Sequence, residues 1–148
     1  MDTEKVFSYK EPEENSGYLL WQVTMKWQLN MNRALGKMSL TLTQFSLMAG
    51  LYWLSQKQHT VTQQQLADYA NTDKMMTSKV LMTLEKKQFL ERVKDSGDSR
   101  AKRLKMTEKG TQTLREAYQV VKQVDDVFFK NVAKDKAVFD DLLIRLIK

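Results

Sequence analysis

The 148-residue sequence predicts a mainly α-helical fold carrying one small β-hairpin, and three observations lead there. Proline occurs once, at Pro12, and glycine only five times, so little in the chain interrupts helix. Apolar residues recur at spacings of three and four over long stretches. One segment, residues 89–106, instead alternates on either side of the turn Asp95-Ser96-Gly97-Asp98.

Each element has its own signal. Residues 17–35 place Leu20, Trp21, Thr24, Met25, Trp27, Gln28, Met31 and Leu35 near a 3.6-residue period and stop at Gly36. Thr41 or Thr43 caps a second helix through Phe45, Leu47, Met48, Leu51, Tyr52 and Leu54, and because it is apolar on most sides it belongs at the centre. Gly50 within it marks either a close helix crossing or a tolerated defect of about 1 kcal/mol. After a polar loop at residues 55–60, Thr62 caps a short helix ending at Ala70. Asn71 is suited to the left-handed conformation that turns the chain. A fresh helix starts at Thr72-Asp73, with Thr77, Val80, Leu81 and Leu84 on one side. Two short helices joined by a tight turn are a helix-turn-helix candidate. Residues 89–93 and 102–106 then read as the strands of the hairpin. Thr107 opens a long helix with Leu114, Ala117, Val121, Val124 and Phe128 along one seam. A last segment, residues 134–147, presents Val138, Phe139, Leu142, Leu143, Leu146 and Ile147.

Composition narrows the chemistry. Apolar residues at 42% and charged residues at 28% suit one soluble domain. The net charge is +6, and it is unevenly spread. The first twenty residues are acidic, whereas residues 21–60 hold Lys26, Arg33, Lys37 and Lys57 with no acid at all, and residues 61–107 hold ten bases against six acids. A polyanion would therefore be met by the middle of the chain. The absence of cysteine excludes disulfides, thiolate chemistry and cysteine-based metal sites. With His59 as the only histidine, a site needing two imidazoles is excluded too, and no metal or other cofactor is expected. Asp125, Asp126, Asp140 and Asp141 form adjacent pairs that point to different sides of a helix, so they read as solvated faces rather than a general acid and base. The start Met1-Asp2-Thr3-Glu4 is not that of a signal peptide, and no apolar run approaches the roughly 18 residues of a membrane span. A cytoplasmic location, with no membrane partner, is the expectation.

Three stretches together resemble the MarR family of bacterial transcription regulators. They are Leu40-Thr41-x-x-Gln44-Phe45; Thr62 through Glu85-Lys86-Lys87 and Leu90-Glu91-Arg92; and Asp98-x-Arg100-x-x-x-Leu104-x-Met106-Thr107-x-x-Gly110. The last is the most specific, since it ties the hairpin to the following helix at fixed spacing. Two departures stand out. Gln88 occupies a position where the family usually has glycine, and Met75 and Met76 stand where it more often has Ser or Thr facing DNA.

The resemblance implies a winged helix-turn-helix lobe at residues 38–106 with the hairpin as its wing. It also implies an α-helical dimerisation lobe formed by residues 16–37 and 107–148, preceded by an acidic tail at residues 1–15. The expected partner is double-stranded DNA with a pseudo-palindromic operator, bound by a homodimer that acts as a repressor. On the second short helix, Lys74, Met75, Met76, Ser78, Lys79, Thr83 and Lys86 lie outward, offering cations to phosphates and small or apolar groups to base edges. Asp98, Arg100 and Lys102 would act from the wing, Arg100 in the minor groove and Asp98 either orienting it or shaping the turn. Phe139, Leu142, Leu143 and Leu146 would form the dimer contact. An effector cleft where the first, second and fifth helices meet the DNA-binding lobe, near Tyr18, Trp21, Met25, Met48 and Tyr52, is also implied, with a small aromatic or anionic ligand as the suited occupant. A winged-helix module that docks on protein without binding DNA is the alternative.

Overall fold

The computed structural model describes residues 5–94 and 102–148. Its order is α1 (Ser16–Gly36), α2 (Leu42–Lys57), β1 (Val61–Thr62), α3 (Gln63–Ala70), α4 (Lys74–Lys86), β2 (Leu90–Lys94), β3 (Lys102–Met106), α5 (Glu108–Phe128) and α6 (Lys136–Ile147). Short 3-10 segments at Pro12–Glu14 and Lys130–Asp135 precede α1 and α6.

Local hydrogen bonding explains most boundaries. Asn15 caps α1 by accepting from the backbone N–H of Tyr18 at 2.7 Å. Thr41, not Thr43, caps α2, and Gln44 reaches back to the Thr41 N–H to complete a capping box. The same reciprocal pair, Thr62 with Gln65, starts α3. Asn71 takes φ 54° and turns the chain, after which Asp73 caps α4 through the N–H of Met76. α2 runs to Lys57, three residues into the expected polar loop, with Ser55 donating back to the carbonyl of Leu51.

The sheet has one more strand than the sequence suggests. β1 pairs antiparallel with β3, giving the order β1-β3-β2 with Val61 opposite Leu104 and Leu90 opposite Met106. Two residues are too few to display a period of two, so only the partner reveals this strand.

The core joins Met31 and Leu35 of α1, Leu47, Met48 and Leu51 of α2, and Leu66, Leu81, Leu84, Leu90 and Leu104 from α3 to β3. Leu114, Ala117 and Val121 close it from α5. Each buried leucine contributes about 1.5–3 kcal/mol relative to exposure. Gly50 does mark a close crossing: a Cβ there would lie 3.0 Å from Leu66 Cδ1 and 3.2 Å from Tyr69 Cδ1.

The junction from α4 through the wing to α5 is tightly specified. Gln88 adopts φ 65° despite having a side chain, at a cost of roughly 1–2 kcal/mol. Thr107 holds it there, its hydroxyl donating to the Gln88 carbonyl at 2.6 Å and accepting from Gly110 N–H at 2.9 Å. The Thr107 N–H donates to Phe89, and a Cβ on Gly110 would sit 1.9 Å from that same Phe89 carbonyl oxygen. This contact is the physical content of the Thr107-x-x-Gly110 spacing.

Candidate nucleic-acid interface

α4 turns Thr77, Leu81 and Leu84 into the core, with Val80 half-buried beside them. The opposite side is a row at helical spacing, Met75, Lys79, Met82 and Lys86, all exposed. Lys74, Met76 and Thr83 flank it, also exposed, and Ser78 is half-buried. The candidate residues on this helix therefore share one surface.

Arg92 of β2 braces α4 from behind. Its Nη2 donates to the carbonyl of Ser78 at 2.9 Å, and its Nε lies 3.6 Å from Glu85 Oε2, with the side chain only 10% exposed. Lys87, just past α4, donates from Nζ to the carbonyl of Ser39 at 2.5 Å, tying the helix end to the α1–α2 turn. Sequence reasoning assigned no role to either residue, because each depends on a backbone carbonyl distant in the chain. Asp98 and Arg100 lie outside the described residues, and of Lys102 only the backbone, as the first residue of β3, is described.

The five residues expected near an effector cleft do not line one cavity of the protomer. Met48 is fully buried in the core. Tyr52 lines a cavity of about 280 Å³ between α2 and α5, together with Phe45, Ala49, Trp53, Thr111, Leu114, Arg115 and Tyr118. Tyr18, Trp21 and Met25 are not among its lining residues; they sit on the first half of α1, where Trp21 and Met25 are exposed. Within one protomer this cavity lies between α2 and α5 and does not reach the N-terminal part of α1. Its α5 residues 111, 114, 115 and 118 do follow helical spacing, but two are polar and one is charged, so an apolar periodicity finds Leu114 and passes over Thr111, Arg115 and Tyr118.

The terminal helices are less enclosed. α6 contains no buried residue; Phe139 and Leu143 are half-buried, while Leu142 and Leu146 are exposed, Leu146 to 77%. Phe139 packs against Phe129 with ring centroids 5.9 Å apart. Asp125, expected on a solvated face, accepts a 2.8 Å hydrogen bond from Trp27 Nε1 and links α5 to α1. Among the described residues no group of three or more His, Asp or Glu could hold a metal ion, and no helix is long and apolar enough to cross a membrane.

Residues 40–102, from the end of the α1–α2 turn to the start of β3, match the model of the MarR family. Over 126 residues the chain is 38% identical to YdcH, an uncharacterized HTH-type transcriptional regulator of Bacillus subtilis, covering 85% of this chain and 86% of the relative. The chain belongs to the MarR family. As a MarR-family protein it is a winged helix-turn-helix transcription regulator and not an enzyme. The fold is shared with a mutant of E. coli MarR complexed with operator DNA, at TM-score 0.79 and 22% identity over 89% of this chain and 93% of that one. It is shared equally with PcaV of Streptomyces coelicolor in complex with its natural ligand, at TM-score 0.79 and 20% identity over 95% and 97%.

Proposed function

We propose that this MarR-family regulator binds a pseudo-palindromic operator as a homodimer and represses transcription from it. The observation that carries the reading is the exposed row Met75, Lys79, Met82 and Lys86 on a helix whose opposite side is locked into the core. Such a helix can enter a major groove without unfolding anything, and its lysines supply the phosphate attraction. E. coli MarR, which shares the fold, is seen on operator DNA. Homodimerisation is supported by Leu142, Leu146 and Ile147 of α6, whose exposure in a lone protomer leaves an apolar face for a second copy. The test is fluorescence anisotropy with a duplex selected from genomic fragments and with random duplex, across salt. Lys79→Ala should weaken binding to both and lower the salt slope by about one. Arg100→Ala should cost about 1–3 kcal/mol on the selected duplex. Negligible binding to random DNA at low salt would instead favour a protein-docking module.

Control by a small aromatic anion is supported by the α2–α5 cavity. Tyr52, Trp53 and Tyr118 supply flat apolar walls, and Arg115 supplies a cation whose hydrogen-bond partner is the neutral Gln112 at 2.6 Å. PcaV, which shares the fold, is seen with its natural ligand. A ligand acts here only if it binds the DNA-incompetent arrangement more tightly, and linkage then requires DNA to weaken its binding by the same factor. Calorimetric titration of a phenolic-acid panel with and without the selected duplex checks this.

A further inference from the structure

We infer that the recognition helix reads thymine through its 5-methyl group, with Met75 as the principal contact and Met82 on the same line. The inference rests on the DNA-binding reading above and names what that surface recognises. Met75 is 71% exposed and Met82 49%, and both lie on the side of α4 directly opposite the buried Thr77, Leu81 and Leu84. Neither contributes to the core, so folding of the protomer does not account for them.

The polar groups of the helix point to the same conclusion by elimination. Bidentate reading of adenine takes Asn or Gln and that of guanine takes Arg or Lys; residues 74–86 contain no Asn, Gln or Arg, so lysine on guanine is the one such pairing open to this helix. The Thr83 hydroxyl donates back to the carbonyl of Lys79, and Glu85 faces Arg92. Asp73 is taken up in capping the helix, and Thr72 and Thr77 bond to one another. What remains to meet base edges is the hydroxyl of the half-buried Ser78, which can donate to or accept from any base, lysine, which pairs with guanine or phosphate, and methionine. In the major groove the apolar feature that distinguishes one base from the others is the thymine methyl. Met75 stands in the first turn of α4, and the N-terminal residues of a recognition helix are those that reach base edges. A flexible, polarisable thioether adapts to that methyl without demanding one fixed geometry.

The experiment begins with duplexes selected from a random pool by the full-length protein. Each thymine of the selected half-site is then replaced singly by deoxyuridine, which keeps every hydrogen-bonding atom and removes only the methyl. For the unaltered protein, one or two positions per half-site should lose affinity by about three- to fivefold. In Met75→Ala the penalty at its own position should vanish, while Met75→Leu, still apolar, should retain most of it. Thermal unfolding of both variants should match the parent, since the side chain is exposed. Tight, sequence-preferring binding that is indifferent to every deoxyuridine substitution would overturn the inference while leaving operator binding intact. A penalty that persists undiminished in Met75→Ala would also overturn it. Failure to select any duplex over random DNA would overturn the DNA-binding reading itself, and the inference with it.

Discussion

From α2 to β3, Leu47, Met48, Leu51, Leu66, Leu81, Leu84, Leu90 and Leu104 are all buried, whereas beyond Val121 no residue of the chain is. The first region carries its own core and closes it with caps at Thr41, Thr62 and Asp73. The second has equally apolar side chains, among them Val127, Leu142, Ile144, Leu146 and Ile147, but leaves them exposed. Apolar content therefore does not distinguish the two; the presence of a facing surface within the same chain does. A helix with an exposed apolar stripe gains stability when something covers it, so under the proposed homodimer the terminal helices are the part of this protein whose structure would depend on a second copy.

The harshest way to break the contrast is to end the chain after Asn131. Removing α6 should convert the proposed dimer to monomer or aggregate, and operator affinity should fall on the order of a hundredfold or more as two linked half-site contacts become independent. Sedimentation together with anisotropy checks both. A tight soluble dimer without α6 would place the dimer contact elsewhere.

A second change strikes the junction between the regions. Gly110→Ala should destabilise the fold by about 2–3 kcal/mol, because its Cβ would meet the Phe89 backbone oxygen at 1.9 Å and the backbone must move. Denaturant unfolding should show the lowered midpoint.

Gln88→Gly should have the smallest effect and the opposite sign. Relief of the left-handed conformation at φ 65° is offset in part by the greater freedom of glycine in the unfolded chain, leaving a net gain of about 0.5–1 kcal/mol. The same unfolding experiment reads it. An unchanged or lower midpoint would mean that the Gln88 side chain makes a stabilising contact.

What could be read from the sequence was local. The caps at Thr62, Asp73 and Thr107 and the left-handed turn at Asn71 each involve residues within about one helical turn, and such signals survive without knowledge of the fold. The outward face of α4 followed from the spacing of its apolar residues alone. The Trp27 to Asp125 hydrogen bond spans 98 positions, and nothing near either residue announces it. The α2–α5 cavity was legible only in part for a related reason: aromatic content pointed to residues of α1 and α2, but which residues of α5 face Tyr52 is decided by how α5 packs back across α2. Arg92 was hidden because a wing cation ordinarily serves solvent or DNA, whereas this one turns inward to the Ser78 carbonyl.

Selection of DNA from a random pool by the full-length protein tests most directly the claim that two copies of α4 act together. Two half-sites related by two-fold symmetry, with centres about 10–10.5 base pairs apart or a multiple of that, are the expected result, since each dimer then presents its recognition helices to successive major grooves on one face of the duplex. Enrichment of a single unrepeated half-site, or of no sequence at all, would contradict it.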